Sequence, residues 1–291
     1  MTVRILPFLA LILLLATPSA HAKTVATKAP STARIVSLGG ALTEIVYALG
    51  FGDKVVGVDA GSTYPAAAAA LPRTGHAREI AVEGVVALRP TVVFASDETG
   101  PPTALARLEA TVPVVVVPSA HSLEAATARV RTIGRTLGVP ARGDSLADAM
   151  IRSARAARGP STPAGAAAPR VLFVYARGAG TVNVAGDSTA ADAIIELAGG
   201  VNAVAAFEGY RPLTAEGVLA AKPDVIVTPT SSAESLGGVE ALLALPGVGM
   251  TPAGKARRVV TFDTLYLLGF GPRVGDAARE LAKAIAPVAR P

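Results

Sequence analysis

The stretch IAVEGVVALRPTVVFASD, residues 80–97, has a close second copy, LTAEGVLAAKPDVIVTPT, at residues 213–230. Each copy reads as a helix that contains a glutamate, ends at a basic residue followed by proline, and leads into a β-branched strand. Helices that alternate with continuous Val-rich strands are typical of parallel βαβ units, in which helices cover both faces of the sheet. The repeated stretch therefore predicts an α/β chain in which one structural plan is used twice.

The segments around the two copies recur in the same order. RIVSL, residues 34–38, opens the first half as a short buried strand, and RVLFVY, residues 170–175, opens the second. In each half a predicted helix that ends at glycine follows. A further helical pattern and the loop GPSTPAGAAAP, residues 159–169, separate the halves. This order predicts an N-terminal lobe at 34–140, a connecting helix at 141–158 and a C-terminal lobe at 169–291.

The composition is typical of an α/β protein, and the sequence has neither a run of basic residues nor any cysteine. Hydrophobic residues make up 51% of the 291 residues, aromatic residues only 4%, and cysteine is absent. The net charge of +5 comes from scattered lysines and arginines rather than from a basic run. We interpret these charges as solvated surface and expect no nucleic-acid partner.

The N-terminus is typical of a secretory signal peptide. Arg4 precedes an apolar stretch, residues 5–16, and Ala20-His21-Ala22 has the A-x-A form of a cleavage signal. The apolar stretch is too short to span a bilayer, which disfavours a retained membrane anchor. We therefore expect a signal peptide at 1–22, cleavage after Ala22, and an exported, soluble mature chain without a lipid-bearing cysteine.

A single tyrosine follows the second predicted strand in the stretch GVDAGSTYP, residues 57–65. The residue before a proline is driven out of the helical region, so Tyr64 should be extended just beyond the carboxyl end of that strand. Ligands of open α/β sheets bind at such ends, and the loops at 176–178 and 209–211 should face the same cleft. Local packing of the tyrosine is the alternative interpretation.

Tyr64 is the best candidate for chemistry. A phenolate is a hard oxygen donor suited to ferric iron, and tyrosine is a known axial ligand of haem. A nearby arginine would favour the phenolate or pair with ligand carboxylates, although each arginine could equally be a solvated surface charge. His76 is a candidate second ligand, with a free surface histidine as the alternative. The arginines in predicted cleft-side loops are Arg73, Arg78, Arg177 and Arg211.

Glu83 and Glu216 occupy equivalent places in the two copies. Matched acids on two lobes can make a two-point contact with a two-fold symmetric partner. The alternative is that each is an ordinary surface glutamate, favourable near the N-terminus of its helix. The repeat leaves these two interpretations open.

No catalytic constellation is present. The sequence contains no G-x-S-x-G, P-loop, H-E-x-x-H or C-x-x-C motif, and we do not expect an enzyme. An exported α/β enzyme is disfavoured because no nucleophile and base stand out. A sensor domain is disfavoured because no membrane-spanning pattern follows the second half.

Several motifs together resemble one family. The chain is similar to the periplasmic substrate-binding proteins of haem ABC transporters, in the cluster that also holds cobalamin and ferric-siderophore binders. The resemblance covers residues 34–287. It is carried by RIVSLGGALTEIVYALG, VVGVDAGSTYP, LPRTGHAREIAVEGVVALRP, GPP at 100–102, AGDSTAADAIIELAGGVNA, GYRPLTAEGV and LGFGPRV.

This resemblance implies a class III periplasmic binding protein: an α/β fold of two Rossmann-like lobes joined by one long backbone helix. It implies that Tyr64 ligates the haem iron and that Glu83 and Glu216 dock on arginines of an inner-membrane permease dimer. It also places four residues in loops that line the cleft, namely Arg73, Arg78, Tyr210 and Arg211.

One departure from the family pattern concerns the loop that begins at Tyr175. Some relatives carry a second, histidine ligand there, whereas this chain reads Tyr-Ala-Arg-Gly. We therefore expect one haem b (iron protoporphyrin IX), held through Tyr64 alone by a monomeric carrier. The predicted function is delivery of haem to an inner-membrane ABC importer. A ferric-siderophore or cobalamin binder of the same fold is the alternative, although either would need more aromatic or basic side chains.

Overall fold

The N-terminal half forms a parallel four-stranded sheet in the order β2-β1-β5-β6. The structure, a computed structural model, describes residues 33–157, 167–178, 180 and 182–287. The strands are short apolar runs, and β1 is buried along its whole length. The elements of this half are β1 (Ile35–Leu38), α1 (Gly40–Ala48), β2 (Val55–Val58), α2 (Ala66–Ala69), β3 (Gly75–His76), β4 (Glu79–Ile80), α3 (Val82–Ala87), β5 (Val92–Ser96), α4 (Pro102–Glu109), β6 (Val114–Val117) and α5 (Leu123–Thr136).

The C-terminal half is built around a mixed sheet in the order β10-β8-β7-β11-β12, with β9 also paired to β7. Strand β7 pairs in parallel with β9 and β11, and β11 pairs in parallel with β12, whereas β8 pairs antiparallel with both β7 and β10. Its elements are β7 (Arg170–Ala176), β8 (Val182–Ala185), α7 (Ala190–Leu197), β9 (Val201–Asn202), β10 (Tyr210–Pro212), α8 (Ala215–Ala221), β11 (Val225–Pro229), α9 (Thr230–Leu236), α10 (Val239–Leu243), α11 (Pro252–Lys255), β12 (Val259–Phe262), α12 (Thr264–Leu268) and α13 (Val274–Ile285).

The predicted repeat is confirmed in the order of the central strands. In the first half β1, β5 and β6 are parallel neighbours, and in the second half β7, β11 and β12 are parallel neighbours in the same order. The two copies of the repeated stretch form the helix–strand pairs α3–β5 and α8–β11. The sheets differ beside the first strand, where β1 has parallel β2 and β7 has antiparallel β8.

The arginine that opens each half makes the same contact in both lobes. Arg34 donates from Nε and Nη2 to the carbonyl oxygen of Leu88, at 3.1 and 2.7 Å. Arg170 donates from Nε and Nη2 to the carbonyl oxygen of Ala221, at 3.0 and 2.9 Å. Both carbonyls lie at the end of the repeated helix, where main-chain acceptors lack helical partners. Each arginine therefore ties the first strand of its lobe to that helix.

Two predicted loops are partly strand. The polar loop at residues 73–79 contains the hairpin strand β3 and the start of its partner β4, and the loop at 209–211 contains most of β10. Strand β10 pairs with β8, a strand of only four residues, and the paired residues are 25 to 29 positions apart in the sequence. Such short edge strands are set by pairing rather than by local pattern, which explains why periodicity does not reveal them.

The helix α6 (Pro140–Ala157) lies between the lobes and packs against both α5 and α13. Gly134 of α5 and Gly143 of α6 allow a close approach, since a Cβ at Gly143 would lie 3.3 Å from the Cα of Gly134. On its other side, Ser153 occupies the space that a Cβ on Gly275 would need. One hydrophobic cluster runs from the first sheet through this helix to α13. The last residue of the predicted connecting helix, 158, lies outside the described residues.

The predicted signal peptide at 1–22 also lies outside the described residues. Within the part of the chain that the structure describes, no helix combines the length and apolar character needed to cross a bilayer.

Candidate functional site

Asp59, a buried carboxylate, organises the loop that carries Tyr64. It stands directly after β2 and accepts hydrogen bonds from the main-chain N–H of Gly39, at 3.0 Å, and of Gly61, at 2.9 Å. The hydroxyl of Ser62 donates a third, at 2.5 Å. Since an unpaired buried carboxylate is costly, these donors fix the loop in one conformation. The carboxyl end of β2 is thereby rigid just before Tyr64.

Arg73 supports the same loop from a second side. Its Nη1 donates to the carbonyl oxygens of Asp59 and Ser62, at 2.7 and 3.0 Å, and its Nη2 donates to that of Ala69, at 3.0 Å. These contacts enclose the segment that contains Tyr64. The sequence predicts that this arginine contacts the ligand, and the structure shows it bound to the main chain of the Tyr64 loop. A direct contact with the ligand stays a prediction.

Tyr64 projects from this loop with 46% of its surface exposed. The guanidinium carbon of Arg273 lies 3.7 Å from the centroid of its ring, a cation–π contact. The same guanidinium lies 4.8 Å from the ring centroid of Tyr266. A tyrosine of the N-terminal lobe is thus covered on one ring face by an arginine of the C-terminal lobe.

Arg273 is held in place by Glu44 of α1. Its Nε donates to Oε2 at 2.9 Å and its Nη2 to Oε1 at 2.6 Å, a two-point ion pair between the lobes. The Glu44 side chain is only 4% exposed and that of Arg273 25%. Burial raises the pKa of Glu44 above its usual value, against the hydrogen bond and charge of Arg273, which lower it.

A second aromatic group lies at the carboxyl end of β7. The rings of Tyr175 and Tyr210 are 6.0 Å apart, and Arg177 donates from Nε to the hydroxyl of Tyr175 at 3.2 Å. Desolvation and the neighbouring Tyr175 raise the pKa of Tyr210 to about 12. The raised pKa disfavours the phenolate form of Tyr210 and leaves a neutral phenol that can donate a hydrogen bond. Arg211 stacks instead on Phe207, with 4.7 Å from its guanidinium carbon to the ring centroid.

His76 and Arg78 lie in the short segment that joins the Tyr64 loop to α3. His76 is an exposed residue of β3. Arg78 pairs with Glu98 through Nη2 and Oε2, at 2.5 Å, and both side chains are exposed. The start of this segment is joined to the loop supported by Asp59, because the main-chain N–H of Ala60 donates to the carbonyl oxygen of Gly75 at 2.8 Å.

The predicted docking glutamates are exposed residues in the first turns of α3 and α8. Glu83 pairs with Arg107, with 2.7 Å between Oε1 and Nη2. A hydrogen bond from its own main chain and the charge of Arg107 lower the pKa of Glu83. Glu216 lies two residues after Thr214, the residue that caps α8. Both carboxylates thus stand at equivalent, solvent-facing points of the two lobes.

Sequence reasoning missed Glu44, Arg273, Tyr266 and Tyr175 as site residues. Arg273 lies inside LGFGPRV and Glu44 inside RIVSLGGALTEIVYALG, motifs that carried the family resemblance. Their contact joins residues 229 positions apart. Among the described residues, no group of three or more His, Cys, Asp and Glu side chains could hold a metal ion. The predicted iron ligand, Tyr64, is an exposed tyrosine.

Known proteins resemble this chain over most of its length. The sequence matches the periplasmic binding protein family over residues 35–265. The periplasmic haem-binding protein RhuT from Roseiflexus sp. RS-1, solved in apo form, is 42% identical, with a TM-score of 0.85 over 88% of this chain and 98% of that protein. The periplasmic haem-binding protein BhuT, solved with two haems, is 43% identical, with a TM-score of 0.82 over 87% and 97% of the two chains.

A sequence relative that is named for a different ligand is the cobalamin-binding protein of Halobacterium salinarum. It is 30% identical over 259 residues, which are 86% of this chain and 69% of that protein. The fold expected from the resemblance, with two α/β lobes and a connecting helix, agrees with these matches. The chain belongs to the periplasmic binding protein family.

Proposed function

We propose that this chain is a periplasmic haem-binding protein that delivers haem to an inner-membrane ABC importer. The observation that carries the proposal is an exposed tyrosine, Tyr64, on a rigid loop at the carboxyl end of β2. It is supported by 42–43% identity, over 87–88% of the chain, to two solved haem-binding proteins. As a carrier, the protein binds and releases its cargo and catalyses no reaction.

In the proposed site the Oη of Tyr64 ligates the ferric iron of haem b. A phenolate is a hard anionic donor, and ferric iron strongly prefers such oxygen ligands. The other candidate residues would act at the periphery. Arg78, Arg177 and Arg211 are cations suited to the propionates, and the neutral phenol of Tyr210 is a hydrogen-bond donor.

His76 stays a candidate second ligand or cleft residue. Arg73 stays a candidate cleft residue whose contacts with the main chain would give it an indirect role.

We propose the following division of the chain for this function. A signal peptide at 1–22 is removed after Ala22, which gives a periplasmic mature protein. The N-terminal lobe, 34–140, supplies Tyr64, and the C-terminal lobe, 169–291, supplies the opposite wall. The helix at 141–158 joins them. Its packing against α5 and α13 supports this role, because one element then contacts both lobes.

The proposed partner is a permease dimer, on which a monomeric carrier docks through Glu83 and Glu216. Their equivalent positions in the two copies of the repeated helix support this role. The test is haem uptake by vesicles that contain the cognate importer. A Glu83→Ala, Glu216→Ala double variant should bind hemin normally but deliver it poorly. Glu240→Ala, which removes another exposed glutamate with an arginine partner, is the matched control. Undiminished delivery by the double variant would remove the docking role.

Cobalamin is the second candidate ligand, favoured by the identity to the Halobacterium protein. A ferric siderophore is the related alternative of the same fold. The decisive experiment is a visible-light titration of the mature protein with hemin, in parallel with cyanocobalamin and a ferric siderophore. We expect saturable hemin binding with phenolate-to-iron charge-transfer bands, lost in Tyr64→Phe and kept in Tyr47→Phe, which changes a tyrosine of α1. If only cyanocobalamin or only the siderophore saturates the protein, that compound replaces haem as the proposed ligand.

A further inference from the structure

The segment Gly269–Arg273 of the C-terminal lobe is held by the N-terminal lobe at two points. Arg129 of α5 donates from Nη2 to the carbonyl oxygen of Phe270, at 3.1 Å. Three residues later, Arg273 forms its two hydrogen bonds to Glu44. Arg273 therefore contacts two side chains across the boundary between the lobes, those of Glu44 and Tyr64.

The planar guanidinium of Arg273 makes two different contacts at once. Its Nε and Nη2 edge binds the two carboxylate oxygens of Glu44, while its face lies against Tyr64 at 3.7 Å. An ammonium group has neither a fixed fork nor a flat face, so lysine cannot reproduce this geometry. Glu44 also fixes the orientation of the guanidinium, so that its face stays against the tyrosine ring.

We propose that Arg273, held by Glu44, is the positioning residue for Tyr64, fixing the phenol ring from the opposite lobe. The inference rests on the proposed function, in which the Oη of Tyr64 binds ferric iron. An exposed phenol on a free side chain samples several directions, and ordering it opposes ligation. A ring covered on one face by a fixed guanidinium points its oxygen in one direction. The iron ligand is then fully ordered only when the two lobes hold this relative position.

The first test uses the haem-free mature protein labelled with 13C in the tyrosine rings. The chain has five tyrosines, and the Tyr64 signal is the one lost in Tyr64→Phe. We expect Arg273→Gln and Arg273→Lys to shift that signal. The matched control is Arg131→Gln, which removes a partly exposed arginine that is also paired with two carboxylate oxygens, of Asp144 and Asp148. A Tyr64 signal that stays unmoved in Arg273→Gln would overturn the proposal.

The second test measures the rate at which bound hemin is lost to an excess of apomyoglobin. The strength of a partly desolvated cation–π contact corresponds to a rate increase of roughly 2- to 30-fold in Arg273→Gln, with a shifted charge-transfer band. The Arg131→Gln control should match the wild type. Glu44→Gln, of nearly unchanged size, should act in the same direction, which keeps the test decisive if Arg273→Gln folds poorly.

The outcomes separate this inference from the proposed function. If Arg273→Lys keeps the wild-type spectrum and the wild-type rate of hemin loss, a positive charge is sufficient. The proposed role of a planar guanidinium held by Glu44 is then wrong. If hemin binds and leaves every variant equally, the positioning role is wrong while the proposed function stands. If the wild type binds no hemin, the proposed function is wrong, and the haem-free spectra alone decide whether Arg273 positions the ring.

Discussion

Removing the charge of Arg273 should destabilise the haem-free protein in a pH-dependent way. Arg273→Gln leaves the carboxylate of Glu44, which is 4% exposed, without its cationic partner. An uncompensated buried charge costs about 3–5 kcal/mol, which for a protein of this size lowers the melting temperature by about 6–20 °C. We expect this loss near pH 8.

The direction of the pH dependence follows from the pKa of Glu44, which burial raises in the folded protein. A carboxyl group with a raised folded-state pKa stabilises the fold below its unfolded pKa and loses that contribution as the pH rises through the folded-state pKa. Arg273 limits this rise, so Arg273→Gln should raise the pKa of Glu44 further. The difference in melting temperature between variant and wild type should therefore be small near pH 5 and grow toward pH 8.

Two further variants make the prediction decisive. Adding Glu44→Gln to Arg273→Gln removes the buried charge, so the double variant should recover most of the stability lost at pH 8 and should no longer show the Glu44 titration in its own melting profile. Arg257→Gln breaks an exposed ion pair with Glu240 and should cost at most about 1 kcal/mol. Thermal melting at both pH values measures all of these. A single Arg273→Gln variant that is equally destabilised at both values, with no recovery in the double variant, would refute the buried-charge reasoning.

Three further predictions concern the loop that carries Tyr64, the packing at two glycines and one histidine. Arg73→Gln removes three hydrogen bonds to the main chain of the Tyr64 loop, so we expect melting to show a loss of about 1–3 kcal/mol and titration to show weaker hemin binding. Gly40→Ala would put a Cβ 2.6 Å from a loop carbonyl oxygen and 2.6 Å from a leucine of α12, so it should lower both stability and hemin affinity. In the control Gly84→Ala the nearest contact of the new Cβ is at 3.6 Å, and the protein should be stabilised by about 0.5–1 kcal/mol. Equal effects of the two substitutions on stability would contradict the packing argument. His121 lies between β6 and α5, with its ring 6.0 Å from that of Phe270, and partial desolvation lowers its pKa. Its contribution to stability should therefore be lost as the pH drops below about 6.5, and His121→Gln should flatten that part of the melting profile; an unchanged profile would contradict this.

The features that the sequence predicts well are local ones. Strands β1, β5 and β11 are short apolar runs bounded by turn residues, and their type and position can be read from a few neighbours. The repeat added long-range information, because one plan used twice requires the same strand order in both halves. Edge strand β10 was missed because its three residues are exposed and owe their conformation to pairing with β8.

The residues of the candidate site differ in the same way: local signals in the sequence predict some of them, and long-range contacts determine the others. An X-Pro pair after a buried strand is a local signal, and it placed Tyr64 at a strand end. The partners of Arg73 depend on how the loop folds back on itself, so sequence could indicate the arginine but not that it binds three main-chain carbonyls. The contact between Glu44 and Arg273 spans 229 positions and both lobes, and no periodicity encodes it.

The two phenol groups of the cleft-side loops suit different tasks. The pKa of Tyr210 is raised from its ordinary value of 10.0 to about 12, which disfavours the phenolate form, and its neutral phenol can donate a hydrogen bond. The protein does not have to lower the pKa of a phenol that ligates ferric iron, because a bound metal cation itself favours the deprotonated form of its ligand. What the protein must supply at Tyr64 is direction. Asp59 and Arg73 fix its loop from within the N-terminal lobe, and Arg273 covers its ring from the other lobe. In the proposed carrier, a change in the relative position of the lobes would uncover the Tyr64 ring without breaking its loop, which would couple lobe movement to haem release.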